Sequence, residues 1–397
     1  MLQAAIAGGG IGGLAGALAL SRAGWDVRVF ERAGEFSEVG AGIQMGPNVV
    51  RILKAWGLGD ALCAVAAFPE RLEVRSVMSG ERLAAMPLGD MAQRYGAPYA
   101  TIHRADLHGL LLDAVNQTGA RIHLDRPLAS FAQTAQAVTI RTAGHPDVEA
   151  DALVGADGVR SLVRSQLLAD GPPPFTGHLA YRALLRQADL PAHLRTQNVT
   201  AWLGRRMHVV QYPVCRGESL NVVALVEGAM PAGGELWDHQ ATAAGLHAAL
   251  EGSCTPLREL MQAPERWRLW PLHGRTPMRG PQEHAVGRVA LLGDAAHPML
   301  PYLAQGAGMA IEDAAALGRV LAQAIGPAQQ AIDVQTLLQR FALNRWQRNA
   351  RVQARAQRNG VIFHAQGPLR LARDASMRLL GPRLLDMPWL YGAAASV

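Results

Sequence analysis

The sequence has almost no lysine, few cysteines and no long uninterrupted apolar run. Lys54 is the only lysine, so the formal charge of +6 comes almost wholly from arginines that are spread along the chain. Because the densest basic run, at 345–358, is typical of a solvated helix face, the sequence does not indicate a nucleic-acid-binding protein. No apolar run reaches about 18 residues, which argues against a transmembrane helix.

The scarcity of cysteine also restricts the chemistry that the chain can perform. The three cysteines are Cys63, Cys215 and Cys254. Their odd number and wide spacing fit neither a disulfide framework nor a metal site, so free thiols and no bound metal are expected. The N-terminus enters an apolar strand with no basic segment before it, so no signal peptide is indicated. We therefore expect a cytoplasmic protein that is a monomer or a homodimer.

Glycine, by contrast, is abundant and is concentrated in a turn near the N-terminus, between an apolar strand at 4–7 and a predicted helix. The glycines at G-x-G-x-x-G spacing are Gly8, Gly10 and Gly13. They permit a tight turn and the close approach of a pyrophosphate. About twenty residues later, Glu31 stands where an acidic side chain binds adenosine ribose hydroxyls, with Arg32 beside it. The pattern predicts a dinucleotide site that favours a free ribose over a 2′-phosphate; a glycine turn used only for packing is the alternative.

A second motif of this kind is GDAAHPMLPYLAQGAGMAIEDA at 293–314. It follows a strand-like run and opens a helix-like run. Asp294 can accept a hydrogen bond from a ribose hydroxyl, and the free N–H groups of a helix N-terminus attract negative charge. The residues that would supply these N–H groups are Gly306, Ala307, Gly308 and Met309. The motif predicts a site for a phosphate-bearing or oxyanion-bearing cofactor.

The third motif, VGADGVRSLVR at 154–164, reads as a strand, a turn and a helix. Asp157 could bind the pyrophosphate region of the cofactor through water or backbone, or it could simply cap the helix. The recurrence of three such motifs in order, each after a strand, favours the cofactor role.

Taken together, these motifs resemble those of the single-component, FAD-dependent aromatic hydroxylases typified by p-hydroxybenzoate hydroxylase. Within that family the chain is most similar to the salicylate hydroxylase and 6-hydroxynicotinate 3-monooxygenase branch. The resemblance extends over nearly the whole chain. It rests on the three motifs above and on EVGAGIQMGPN at 38–48, IHRADL at 102–107 and NRWQRNARVQARAQRNG at 344–360.

The resemblance implies a tightly but non-covalently bound FAD, contacted by Asp157, Asp294 and Arg104. It also implies that NADH or NADPH binds transiently, since the sequence has no second dinucleotide motif. In such enzymes O2 adds to flavin C4a, and the hydroperoxide delivers one oxygen atom to a small aromatic substrate that is hydroxylated and carboxylated. NADH is expected to serve at least as well as NADPH.

The expected fold class is α/β, with a Rossmann-like FAD-binding domain interleaved with a smaller sheet-rich substrate domain and followed by C-terminal helices. The FAD-binding domain is predicted at 1–70, 101–174 and 268–340. Strand patterns place the substrate domain at 71–100 and 175–267. The remaining segment, 341–397, is predicted to be helical.

Three side chains are candidates for the catalytic base or the hydrogen-bond network at the substrate hydroxyl. His208 and Tyr212 share one face of a predicted strand, about 13 Å apart, and the resemblance implies a His and a Tyr at this spacing. An ordinary half-buried strand is the alternative. Tyr302 in the flavin loop is the third candidate; the hydroxynicotinate enzymes have a histidine there, which puts that substrate in doubt. His297 is expected to be structural, and either Arg182 or Arg205 could bind a substrate carboxylate or lie at the surface.

Two other classes of protein are open on the residues alone. One is an FAD-dependent oxidase or dehydrogenase that inserts no oxygen, against which the loop at 298–308 argues. The other is a nicotinamide-dependent dehydrogenase or a non-catalytic nucleotide-binding protein. A monooxygenase that acts on a larger polycyclic or quinolone substrate is a further alternative.

Overall fold

The structure, a computed structural model, describes residues 1–36, 41–231, 239–241, 244–325 and 332–392. The described strands in chain order are β1 (Gln3–Ala7), β2 (Asp26–Phe30), β3 (Gly42–Met45), β4 (Arg71–Ser76), β5 (Arg82–Pro87), β6 (Ala100–His103), β7 (Arg121–His123), β8 (Leu128–Gln133), β9 (Val138–Thr142), β10 (Val148–Ala150), β11 (Ala152–Gly155), β12 (Phe175–Arg186), β13 (Val199–Gly204), β14 (Met207–Val214), β15 (Ser219–Glu227), β16 (His239–Ala241), β17 (Trp267–His273), β18 (Ala285–Val286) and β19 (Val289–Leu291). The described helices are α1 (Ile11–Arg22), α2 (Pro47–Ala55), α3 (Gly59–Val65), α4 (Met91–Tyr95), α5 (Arg104–Asn116), α6 (Leu162–Leu168), α7 (Ala244–Ala249), α8 (Thr255–Gln262), α9 (Gly306–Leu321), α10 (Val334–Phe363), α11 (Gly367–Leu380), α12 (Pro382–Leu385) and α13 (Pro388–Tyr391).

A six-stranded sheet carries the first and second glycine motifs. Its strand order is β18-β19-β11-β1-β2-β7, and all pairs except β18–β19 are parallel. Because the middle of a parallel sheet is covered on both faces, its central strands are mainly apolar, as QAAIA in β1 and ALVG in β11 illustrate. Ala4 and Ile6 face a core with helices α1 and α9, whereas Ala5 and Ala7 face the opposite side.

A small antiparallel sheet, β10-β9-β8, covers that opposite side. Its apolar residues Phe131, Val138 and Ile140 share a core with Ala5 and Ala7 of β1. The cofactor-binding part of the molecule therefore has three layers, with helices on one face of the parallel sheet and a second sheet on the other.

An eight-stranded sheet forms the second large element, in the order β16-β17-β12-β15-β14-β13-β4-β5. Its pairs are antiparallel except for β13 with β4. Alternate residues of β14 face opposite sides, so Met207 and Val209 pack in a core with Leu257 and Leu260 of α8. The other face, which carries His208 and Tyr212, is turned toward the cofactor-binding part and α10.

The predicted fold class is confirmed, including the interleaved order of the two sheets along the chain. The exact domain boundaries stay a prediction, and β17 continues to His273, beyond the expected limit at 267. The loop motif at 38–48 lies outside the described residues at 38–40. None of the described helices is both long and apolar enough to cross a lipid bilayer.

Candidate active site

The glycines of the first motif are required for two different reasons. Gly8 has a φ of +101°, and a β-carbon there would lie 2.4 Å from the carbonyl oxygen of Ala156. A β-carbon at Gly13 would lie 1.9 Å from the carbonyl oxygen of Gly8. At Gly10 the same atom would meet no described atom within 4 Å. The turn itself thus requires Gly8 and Gly13, whereas Gly10 borders open space that a ligand can fill.

Glu31, at the end of β2, is fixed by the same turn. One of its carboxylate oxygens accepts from the Gly9 N–H at 2.6 Å, and the other accepts from the Ala33 N–H at 2.9 Å. A carboxylate oxygen has more than one acceptor site, so a ribose hydroxyl can still bind there. Arg32 is exposed on the loop that follows. His108 of α5, which the sequence did not single out, contacts the Gly9 carbonyl through Nε2 at 2.9 Å.

Asp157 occupies the turn before α6, and its carboxylate caps that helix. It accepts from the Leu162 and Val163 N–H groups at 2.7 and 3.1 Å, and from the Ser161 hydroxyl. The helix-capping alternative therefore describes its side chain. Its backbone lies against the glycine turn, since a β-carbon at Gly8 would be 3.0 Å from the Asp157 Cα. A contact with the cofactor through that backbone stays a prediction.

Asp294 lies just after β19, and the loop that follows it leads to the first turn of α9. The Asp294 side chain is accessible to solvent, yet burial raises its pKa, a combination that fits a carboxyl group in a recess of the surface. Helix α9 begins at Gly306 and no side chain caps its N-terminus, so its first turn can face negative charge. That turn contains Gly306, Ala307, Gly308 and Met309. Arg104 lies close enough to offset part of the rise in the pKa of Asp294.

His208 and Tyr302 meet where β14 approaches the flavin loop. Both side chains are buried, and their ring centroids are 5.0 Å apart. The Tyr302 hydroxyl is buried and has no hydrogen-bond partner among the described residues. Its backbone is held by Asn359 of α10, whose side-chain amide donates to the Tyr302 carbonyl at 3.0 Å. A buried hydroxyl of this kind can bind a polar group of a ligand.

Tyr212 lies on the same face of β14 but contacts a different partner. A β-carbon at Gly42 would be 2.5 Å from the Tyr212 ring, so only glycine fits at the start of β3. The Gly42 N–H donates to the side-chain oxygen of Asn221 at 2.7 Å. The substrate sheet is therefore hydrogen-bonded directly to the first residue of β3. Convergence of Tyr212 and His208 on one substrate stays a prediction.

The structure distinguishes the two arginines that the sequence left open. Arg182 of β12 lies on the inner face of the large sheet, with its guanidinium carbon 3.7 Å from the centre of the Trp270 ring. Its Nε is buried and has no partner among the described residues, and burial lowers its pKa to about 9. Tyr212 and Arg104 are close enough to influence that pKa. Arg205, by contrast, is exposed in the turn between β13 and β14.

His297 belongs to a buried network beneath α9. Its Nε2 bonds to the carboxylate of Asp313, which also accepts from Arg345 Nε at 2.8 Å and from Asn349 at 2.9 Å. Burial alone would raise the pKa of Asp313, but the charges of His297 and Arg345 outweigh this effect and lower it. The network joins the GDAAHP loop to α9 and α10. The expected structural role of His297 agrees with these contacts.

Two functional candidates, His364 and Glu227, were not predicted from the sequence, because no local pattern connects them. His364, just after α10, places its ring 5.2 Å from that of His208 and 5.4 Å from that of His178. Glu227, at the end of β15, bonds to His364 at 3.3 Å. These residues are far apart in sequence and meet only in the folded chain. The one signal in the sequence was a histidine, His364, among the apolar residues at the end of α10.

Comparison with known proteins agrees with this geometry. The family model described as an FAD binding domain matches residues 1–355. The chain is 38% identical over 396 residues to the 3-hydroxybenzoate 6-hydroxylase of Polaromonas naphthalenivorans, covering 98% of this chain and 96% of that protein. It is also 38% identical over 396 residues to a 3-amino-4-hydroxybenzoate 2-monooxygenase of Streptomyces platensis, covering 99% and 96%. A solved salicylate hydroxylase substrate complex has a TM-score of 0.83 at 27% identity, covering 100% of this chain and 96% of that chain.

Proposed function

Since the chain belongs to the FAD-dependent aromatic monooxygenase family, we propose that its substrate is a small ring bearing both a hydroxyl and a carboxylate group. The predicted family, the FAD cofactor and the oxygenation of a small aromatic substrate are confirmed by these similarities. NAD(P)H is the usual reductant in this family. The observation that carries the proposal is the enclosed Arg182, which shares a sheet face with His208 and Tyr212.

The residues of the cofactor cleft fit FAD on three counts. Open space lies beside Gly10, where a pyrophosphate would approach. The N-terminus of α9 has no side-chain cap, and the carboxyl group of Asp294 is accessible and close to Arg104. FAD, when bound and reduced, supplies the activation of O2 and the oxygen atom that enters the ring. We propose that FAD is held by Glu31, Arg104, Asp294 and the N-terminus of α9, with Arg32 in a lesser role.

Arg182 is proposed to bind the substrate carboxylate. A guanidinium group presents its donors in a planar fork that matches a carboxylate. Trp270 fixes the plane of that fork, and the buried Nε lacks a partner among the described residues. A buried charge that has no counter-ion among the described residues is costly, so an anionic ligand would be strongly favoured there. Arg205 is too exposed to act in the same way.

The hydroxyl group of the substrate is proposed to lie near His208 and Tyr302. Burial and the neighbouring His364 and His178 place the pKa of His208 well below its ordinary value, so its imidazole is neutral near pH 7. A neutral imidazole can accept a proton from a phenol and make the ring more electron-rich. The segment 298–303, with Tyr302 and Leu303 buried, would exclude water from the reaction.

The carboxylate assignment is tested with Arg182→Met, with Arg205→Met as the matched control. Binding of 3-hydroxybenzoate to the oxidised holoenzyme is followed by the change in flavin absorbance, in parallel with an uncharged phenol. Loss of a charge-assisted hydrogen bond should weaken benzoate binding by about 10- to 100-fold in Arg182→Met and leave phenol binding unchanged. Arg182→Lys should give an intermediate loss because the fork is absent. Equal loss for both ligands, or none for either, would contradict the assignment.

The chain is proposed to act in the cytoplasm. The three cysteines are free among the described residues, which is compatible with the reducing cytoplasm in which NAD(P)H is regenerated. A monomer or a homodimer stays the expected assembly.

A further inference from the structure

A chain of hydrogen bonds leads from His208 to the surface of the sheet. His208 Nδ1 lies 2.9 Å from His364 Nε2. His364 Nδ1 lies 3.3 Å from Glu227 Oε1. The Glu227 side chain is 29% exposed, whereas that of His364 is 4% exposed, so the chain runs from the interior to solvent.

The carboxylate at the outer end determines where each proton lies. Arg206 donates to the second oxygen of Glu227 at 2.7 Å. Burial opposes ionisation of Glu227, but the hydrogen bonds from Arg206 and His364 outweigh it and lower the pKa of Glu227. An ionised carboxylate only accepts, so His364 Nδ1 must carry the hydrogen in this contact.

The proton positions then propagate inward. A neutral imidazole carries one hydrogen, so His364 Nε2 has the lone pair and must accept from His208 Nδ1. His208 in turn retains its lone pair on Nε2, the ring nitrogen that does not contact His364. Burial lowers the pKa of His364 to about 4, so the neutral form is the relevant one near pH 7. The network thereby leaves His208 Nε2 as an unprotonated base inside the molecule.

We propose that His364 and Glu227 form a proton relay that carries the proton of the substrate hydroxyl from His208 to solvent. This proposal rests on the proposed function, in which His208 is the base. The hydroxyl proton passes to His208 Nε2 as the Nδ1 proton of His208 passes to His364 Nε2. The Nδ1 proton of His364 passes at the same time to Glu227 and from there to water. One proton leaves the phenol and one reaches solvent, and the return of a proton to the product restores both imidazoles.

The groups around the relay favour this role over a static ion pair. His178 of β12 and Tyr302 pack against the His364 ring, and Arg373 of α11 and Arg206 contribute positive charge nearby. These charges disfavour a lasting positive charge on His364, so a proton cannot remain there. His178, Glu227 and His364 also have the composition of a metal site. Both nitrogens of His364 already form hydrogen bonds, which argues against a metal ligand.

The relay is tested by the rate at which a proton appears in solution. Oxidised holoenzyme in weak buffer is mixed with 3-hydroxybenzoate and a pH indicator in a stopped-flow instrument. We expect proton release to slow by about 10²-fold in His364→Ala, while flavin content and substrate affinity are retained. Added imidazole should restore the rate by filling the space, which a merely structural role would not produce. His364→Gln, which keeps the volume but cannot relay, should be equally slow.

A matched control is the exposed pair of His193 and Glu259, whose atoms lie 2.6 Å apart outside the site. His193→Ala should release the proton at the wild-type rate. Wild-type release in both His364 variants would overturn the relay. If the wild-type protein itself released no proton and hydroxylated no hydroxybenzoate, the proposed function would fail instead. Slow release in His364→Ala that imidazole does not rescue would also count against the relay.

Discussion

Individual glycines in the first motif have different tasks, and this difference can be measured. Any other residue at Gly8 or Gly13 would place its β-carbon against a backbone oxygen atom, so the turn requires glycine at both positions. A β-carbon added at Gly10 would contact no described atom within 4 Å, so glycine at this position leaves space for a ligand. The three glycines of this motif therefore meet two separable requirements, one for folding and one for binding.

For Gly10→Val we expect a folded protein that does not retain FAD, because the added methyl groups occupy the pyrophosphate space. Gly13→Ala, the matched variant, should instead fail to accumulate as folded protein, because its β-carbon overlaps the Gly8 carbonyl. Flavin content by visible absorbance and folding by circular dichroism separate the two. Full flavin content in Gly10→Val would contradict the cofactor site.

His208→Ala tests the proposed base at the same scale. Loss of a general base should lower substrate-stimulated hydroxylation by about 10²- to 10⁴-fold while FAD remains bound. Product formation by chromatography and flavin absorbance are measured together. Tyr212→Phe, on the same strand face, removes a hydroxyl but not the base, so it should lose much less activity. Unchanged turnover in His208→Ala would remove this residue from the mechanism.

At the scale of elements, helix α10 holds the site together from behind. Its Arg345 bonds to Asp313 of α9, and Arg348 forms two bonds to Glu312 at 2.6 and 2.7 Å. Helix α10 also carries Asn359, which fixes the backbone of Tyr302. Through these contacts one helix positions both the N-terminus of α9 and the flavin loop.

Arg345→Met should destabilise the holoenzyme by about 3–5 kcal/mol, because it removes the arginine that is paired with the buried Asp313. Arg340→Met, on the exposed face of the same helix, should change the stability by less than about 0.5 kcal/mol. The free energy of unfolding from urea titration checks both values. Equal effects would show that the buried network contributes nothing specific.

The same network gives a pH dependence with a defined sign. The pKa of Asp313 is lowered in the folded state, although burial alone would raise it. A carboxyl with a lowered folded pKa stabilises the protein above its unfolded pKa of about 4, and this stabilisation is lost as the pH falls below that value. Thermal midpoints measured between pH 7 and pH 3 should therefore fall more steeply for the wild type than for Asp313→Asn. Parallel curves would contradict this assignment.

Elements with local sequence signals were predictable, whereas contacts between distant parts of the chain were not. The strand–turn–helix units at Gly8 and at Asp294 were predictable, because glycine spacing and apolar runs are local signals. The position of β4 beside β13 was not, since it depends on pairing between residues more than a hundred positions apart. His364 and Glu227 were missed for the same reason. Arg182 and Arg205 were indistinguishable until burial separated them.

At the scale of the whole molecule, the cofactor site and the substrate site must lie close enough for one oxygen atom of O2 to pass to the substrate ring. When a hydroxybenzoate is hydroxylated under ¹⁸O2, we expect the product to contain one labelled oxygen. When the reaction is run in H2¹⁸O with unlabelled O2, we expect the product to contain none. Mass spectrometry of the product decides between these sources. An unlabelled product from ¹⁸O2 would indicate an oxidase or dehydrogenase, and the absence of bound flavin would remove the whole assignment.

The parallel pairing of β4 with β13 limits how such a protein can be recombined. Strands β4 and β5 precede the rest of the large sheet by almost a hundred residues, yet they complete its edge. A chimaera that takes only residues 175–273 from a relative would pair a foreign β13 with the native β4, and the side chains of the two strands would not match. Exchange of substrate preference between relatives would thus require two separate segments to be replaced together, so point substitutions on the face that carries Arg182 and His208 are the simpler route to a new substrate.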